Sequence, residues 1–134
     1  MNTNNQRSKD KTILIVEDEM IIAMDIKYSL MDMGYTDLSI VFSGEKALEV
    51  IEQKDFDLIF MDLRLAGGMD GIETAKAILD KKHIPIVFTT ANIDEQILNQ
   101  LGEISAYGHV SKPMNQDDIR TTMSTVFEKA NNGR

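Results

Sequence analysis

The chain contains no cysteine, which excludes a disulfide framework and a thiolate metal site alike. It also lacks long apolar runs: the longest are about four or five residues, against the roughly 20 that a membrane-spanning helix needs. Positive charge is short as well. Fourteen Lys and Arg stand against 22 Asp and Glu, a net charge of −8, and this argues against direct nucleic-acid binding through a broad basic surface. Met1 to Lys11 is polar and rich in Asn and does not read as a signal peptide, so the expected compartment is the cytoplasm, without membrane insertion. No internal repeat, low-complexity linker or break in composition divides the chain. What is present, 134 residues of which 43% are hydrophobic, suits one domain with one sizeable core. The expected limits are a disordered tail over 1–10, a domain over 11–130 and a frayed end over 131–134.

Periodicity then places the elements. Thr12 to Val16 is a β-branched strand that stops at Glu17-Asp18-Glu19. Ile22, Ile26, Leu30 and Met33 recur at helical spacing, and Gly34 suits the residue after the helix. Leu38 to Phe42 is a second strand, and Ser43 caps a helix with Ala47, Leu48, Val50 and Ile51 on its inner face. Leu58 to Met61 is a continuous apolar run, too short for a helix, that ends at Asp62; a strand covered on both faces of a parallel sheet has this pattern. A loop with Gly67-Gly68 follows. Asp70 and Glu73 form a capping box for a helix through Ile72, Ala75, Ile78 and Leu79. Pro85 to Thr90 is the fourth strand, and Asp94 to about Leu101 a weaker helix that Gly102 closes. The fifth strand, about Ala106 to Ser111, delivers Lys112-Pro113. Asn115 caps a last helix carrying Ile119, Met123, Val126 and Ala130. Strand and helix alternate five times, so the expected fold is doubly wound α/β, (βα)₅, with a five-stranded parallel sheet in the flavodoxin-like order 2-1-3-4-5.

In such a sheet the residues that end the strands meet along one edge: Glu17 and Asp18, Asp62, Thr90 and Lys112. Carboxylates about 4 Å apart at an effective dielectric near 20 repel by roughly 4 kcal/mol per pair, so a cation or a proton must join them. Oxygen ligands with no His or Cys select Mg²⁺, or Mn²⁺, over softer ions. Lys112 offers an ammonium and Thr90 a hydroxyl to anionic oxygen, and Ala91 is small enough to leave access. Asp62 is then read as the nucleophile of a phosphoryl transfer that forms an acyl phosphate. Taken singly, Asp62 could be a turn residue, Lys112 a surface lysine and Glu17 a solvated acid. Their joint arrival at one edge decides the reading.

Ile13 to Glu19, Asp57 to Leu63, Met69 to Glu73, Pro85 to Ala91 and Val110 to Pro113, in this order and spacing, resemble the receiver domain of two-component response regulators (CheY-like) over about Lys11 to Ala130. The resemblance implies that Asp62 is a phosphoacceptor charged by a histidine kinase or a histidine phosphotransfer protein. It implies that Glu17, Asp18, Asp62 and the backbone carbonyl of Arg64 hold Mg²⁺, that Thr90 is a switch hydroxyl and Lys112 the phosphoryl-binding lysine, and that the Lys112-Pro113 bond is cis. His109 stands where the family usually has the aromatic half of the switch, and the loop after Asp62 is one residue longer than the commonest pattern. Arg64 and Asn92 resemble positions that tune phosphoryl lifetime. Output would pass through the fourth helix, fifth strand and fifth helix to a downstream protein target, with phosphorylation-dependent dimerisation as a further implied outcome.

Three other functions have distinct signatures. A phosphatase of the haloacid dehalogenase type needs a second Asp two residues after the nucleophile, where Arg64 stands. A flavin carrier needs hydroxyls and amides after the first strand, where Glu17-Asp18-Glu19 would repel a phosphate. A scaffold that has lost phosphorylation would not require the full set of acids, Thr90 and Lys112.

Overall fold

A computed structural model of the protein describes residues 10–91, 94–104 and 108–132. In chain order the elements are β1 Thr12–Val16, α1 Met20–Asp32, β2 Asp37–Val41, α2 Gly44–Gln53, β3 Leu58–Asp62, α3 Gly71–Lys81, β4 Ile86–Thr90, α4 Glu95–Glu103, β5 Gly108–Ser111 and α5 Gln116–Asn132. The strands form one sheet in the order β2-β1-β3-β4-β5, and every neighbouring pair is parallel. This is the doubly wound α/β fold expected from the alternation of elements.

The apolar runs of β1 and β3 are continuous because helices cover the sheet on both faces. Leu14, Val16, Ile59, Met61 and Phe88 pack under α2, α3 and α4 with Ala47, Ile51, Ala75, Ile78 and Leu101. Their chain neighbours Ile13, Ile15, Leu58, Phe60 and Val87 point the other way, against Ala23, Ile26 and Leu30 of α1 and Ile119, Met123 and Val126 of α5. Successive side chains thus feed two cores.

Local chemistry sets the helix starts. The Ser43 hydroxyl accepts the Lys46 N–H at 3.1 Å. Asp70 and Glu73 close a reciprocal capping box at 2.8 and 3.1 Å, and Asn115 accepts the Asp118 N–H at 2.8 Å. Each satisfies amides that the first helical turn leaves open. Gly34, at φ 102°, follows the cap Met33 and supplies the left-handed residue that ends α1. Gly71 allows a close approach: a Cβ there would lie 2.1 Å from the Asp62 carbonyl oxygen, so α3 starts directly against the end of β3.

Four boundaries differ from the sequence reading. Gly102 does not close α4, which continues through it to Glu103. Nothing lies within 4 Å of where its Cβ would be, so its cost to the helix is only that of weak propensity. β4 begins at Ile86, and Pro85 just before it still joins the sheet through its carbonyl, which accepts the Ile59 N–H at 3.0 Å. β2 spans Asp37–Val41, one residue earlier at each end than the expected Leu38 to Phe42. The last helix reaches Asn132, beyond the expected limit at 130. The expected start of the fifth strand, Ala106, and the tail residues 1–9 lie outside the described residues.

Candidate functional site

The pairing of β1 with β2 runs one residue past the strands: the Glu17 N–H donates to the Val41 carbonyl at 3.1 Å. Glu17 is thereby held in the sheet edge and is fully buried. Asp62 ends β3 and is also buried. At the far side, the Lys112 N–H donates to the Thr90 carbonyl at 2.8 Å, which fixes the lysine at the end of β5; the Lys112-Pro113 peptide is cis. The Lys112 ammonium then bridges two acids, 2.8 Å from Glu17 Oε1 and 3.1 Å from Asp62 Oδ1.

Backbone amides complete the shell. Glu17 Oε2 accepts the Glu19 N–H at 3.1 Å, Asp62 Oδ1 the Arg64 N–H at 3.2 Å, and Asp18 Oδ2 the Ala66 N–H at 3.0 Å. One carboxylate oxygen from each of Glu17, Asp18 and Asp62 lies within 4.8 Å of the others. Burial pushes the Glu17 carboxyl up to about 7; the Lys112 ammonium and the Glu19 amide oppose the rise, and the neighbouring Asp62 adds to it. Burial alone would lower Lys112, but its bonds to Glu17 and its attraction to Asp62 hold it above the ordinary lysine value.

Asp62, Thr90 and Lys112 line a cleft of about 380 Å³ whose other wall is built by Glu19, Ile22, Asp25 and Ile26 of the α1 side, and whose rim carries Arg64, Ala91, Pro113 and Met114. The expected set of Glu17, Asp18, Asp62, Thr90 and Lys112 therefore assembles at one place. The Arg64 side chain is exposed at the rim. His109 is exposed on β5, in register with Phe88, and is not among the cleft-lining residues. Asn92 lies outside the described residues. Sequence reasoning missed the cleft wall on α1 and the tie from Asp18 to the loop. Ile22 and Ile26 signalled only a helix face, and a contact to the Ala66 amide has no residue-type signal.

Fold and cleft together define a flavodoxin-like α/β domain with an acidic, lysine-bridged pocket at the carboxyl edge of its sheet. Residues 13–124 match the response regulator receiver domain, and the chain belongs to that family: a CheY-like, regulatory domain of two-component systems. The chemotaxis protein CheY-3 of Vibrio cholerae is 25% identical over 124 residues, 91% of this chain and 95% of that protein. The transcriptional regulatory protein PdtaR of Mycobacterium tuberculosis is 31% identical over 109 residues, 81% of this chain but 53% of the relative. Among solved structures, the signal receiver domain of a modulated diguanylate cyclase from Desulfovibrio desulfuricans superposes with a TM-score of 0.86 at 26% identity, covering 93% of this chain and 99% of that one. The N-terminal domain of a response regulator/sensory box/GGDEF protein from Carboxydothermus hydrogenoformans gives 0.83 at 35% identity, with 92% and 100% covered. Among the described residues no helix is long and apolar enough to cross a membrane.

Proposed function

We propose that Asp62 accepts a phosphoryl group from the phosphohistidine of a histidine kinase or histidine phosphotransfer protein, and that the resulting acyl phosphate switches the face formed by α4, β5 and α5 toward a downstream protein target. The observation that carries the reading is the Lys112 ammonium held between Glu17 and Asp62 within the carboxylate cluster. All three cluster ligands offer oxygen, two of the residues are buried, and the Glu17 carboxyl is strained toward its neutral form. That donor set fits a hard divalent ion. Glu17, Asp18, Asp62 and the Arg64 carbonyl would hold Mg²⁺ or Mn²⁺, which when bound supplies positive charge to the phosphoryl oxygens.

In the transfer, a carboxylate oxygen of Asp62 attacks phosphorus in line, the P–N bond of the donor breaks, and the released imidazole takes a proton. Lys112 exchanges its Asp62 contact for a phosphoryl oxygen. The Thr90 hydroxyl donates to another, and this draws in the loop after β4. His109 moves with Thr90 as the second half of the switch, from an exposed starting position. Arg64 and Asn92 set access of the attacking water and hence the lifetime of the acyl phosphate; changing either alters the dephosphorylation rate without abolishing phosphorylation. The domain promotes its own phosphorylation and slow dephosphorylation and turns over no external substrate. It works in the cytoplasm, and phosphorylation promotes dimerisation.

The test is incubation with acetyl phosphate, with and without Mg²⁺, read by intact mass. The expected result is one metal-dependent phosphoryl adduct, absent in Asp62→Asn. Adduct formation undiminished in that variant overturns the assignment, and steady hydrolysis of many donor equivalents favours a phosphatase.

A further inference from the structure

The three acids of the cluster are held in different ways. Glu17 and Asp62 share the Lys112 ammonium. Asp18 has no cation, and among the described residues the one donor that reaches its carboxylate is the Ala66 N–H, 3.0 Å from Oδ2. The direction of the Asp18 side chain therefore depends on where the loop after β3 puts a single amide. That loop is pinned before and after Ala66. Leu63 and Leu65 are buried in the core under α2, α3 and α4; the Leu63 N–H donates to the Thr89 carbonyl at 3.1 Å and the Gly71 N–H to the Leu63 carbonyl at 3.0 Å. With Leu65 inward, its neighbours Arg64 and Ala66 are exposed. The chain then reverses at Gly67, whose φ of +104° strains any residue that carries a Cβ. Gly68 has no such φ, and a Cβ there would meet only the far end of the Glu45 side chain, Oε2 at 2.8 Å.

We propose that Ala66 and Gly67 form a latch that presets the carboxylate cluster for its ion: the Ala66 amide orients Asp18, and Gly67 supplies the turn that aims the amide. Both are positioning residues, and their role rests on the reading of Glu17, Asp18 and Asp62 as ligands of a divalent ion. The physical basis is preorganisation. An Asp18 side chain without a partner would lose rotamer freedom when an ion arrives, and would at that moment be brought against two neighbouring carboxylates. The amide makes a charge-assisted bond to one of its oxygens in advance and leaves the other oxygen to the ion. Outer partners of this kind change metal affinity by roughly 10- to 100-fold. The latch also puts two of the proposed ligands on one strap. Arg64 lies two residues before Ala66, so holding Ala66 against Asp18 limits how far the Arg64 carbonyl strays from the cluster. Such coupling is reciprocal, and an ion that fixes Asp18 also steadies the loop.

Mn²⁺ titration of the unphosphorylated full chain, with free ion counted by electron paramagnetic resonance and no phosphodonor present, tests the latch. Ala66→Pro removes the donating N–H and Gly67→Ala disfavours the turn; each is expected to weaken Mn²⁺ binding about tenfold. Gly68→Ala should bind as the wild type does, because the Glu45 side chain can swing aside. Amide hydrogen exchange in chelator reads the latch with no ion at all. Asp18→Ala should speed exchange at Ala66 several-fold and leave Gly71, which donates to the Leu63 carbonyl, unchanged. Thermal unfolding in chelator identifies any loop variant that has lost its fold, and the exchange measurement depends on neither of them. Wild-type affinity in both Ala66→Pro and Gly67→Ala overturns the latch while the ion site stands. Equal weakening by Gly68→Ala overturns it too, as does Ala66 exchange that Asp18→Ala leaves unchanged. A wild-type chain that binds no Mn²⁺ overturns the ligand reading, and the positioning role with it.

Discussion

Glu17 is an acid with no access to water, and its protonation couples metal, stability and pH. Its carboxyl is pushed up to about 7, first by burial, from an ordinary value of 4.5. A folded-state value above the unfolded one means that Glu17 favours folding fully below about 4.5 and loses that contribution as pH rises through about 7. Metal-free protein should therefore show a Glu17-dependent fall in melting temperature over that interval. Mg²⁺ held by the proposed ligands would compete with the proton, so its affinity should drop as pH is lowered through about 7. Glu17→Gln should flatten the metal-free melting profile and remove most of the stabilisation by Mg²⁺. Calorimetric melts with chelator and with Mg²⁺, across this pH range, check both; a Gln variant with the wild-type slope would refute the assignment of that slope to Glu17. Lys112 is shifted in the same direction, so its contribution is likewise lost only as pH rises, above the ordinary lysine value. Its raised value keeps the ammonium charged throughout, so it offsets the acids in the absence of an ion.

At the scale of elements, the approach of α3 to the end of β3 is the tightest constraint on the site. The Cβ added by Gly71→Ala would sit 2.1 Å from the Asp62 carbonyl oxygen and 2.8 Å from the Leu63 Cα. Both are backbone atoms that cannot rotate aside. The substitution is expected to cost about 1–3 kcal/mol in urea unfolding and to slow phosphorylation by moving Asp62. Asp70→Ala, which removes the capping box from the same helix, should cost about 1 kcal/mol and leave the phosphorylation rate nearly unchanged. The contrast separates placement of the helix from its stability.

Much of this layer was legible in the chain. Ser43, Asp70 and Asn115 act through amides three residues away, and the apolar runs ending at Glu17, Asp62 and Thr90 depend only on period and termination. Gly102 misled because weak helix propensity, about 1 kcal/mol relative to Ala, does not end a helix whose Leu101 and Ile104 are buried. The contact of Asp18 with Ala66 crosses 48 positions, and only the folded loop brings the two together.

For the molecule as a whole, a net charge of −8 surrounds a pocket proposed to accept a phosphoryl group. Long-range repulsion should slow reaction with a small anionic donor at low salt, and screening should relieve it. The rate with acetyl phosphate is expected to rise about two- to fivefold between roughly 20 and 200 mM NaCl, as the Debye length shortens from about 20 Å toward 7 Å. Stopped-flow rates at constant Mg²⁺ check this; a rate that falls with salt would mean that the local field of Lys112 and the ion outweighs the total charge.

The strand order has one more consequence. Glu17 and Lys112 touch across 95 positions, and Asp62 and Lys112 across 50. A fragment ending before β5 would keep its carboxylates while losing the fixed ammonium between them, and a nascent chain passes through that same composition on the ribosome. The pocket has no local precursor, so a proteolytic cut just before β5, which removes about the last fifth of the polypeptide, would leave acids able to attract a proton or an ion, with no lysine fixed between them.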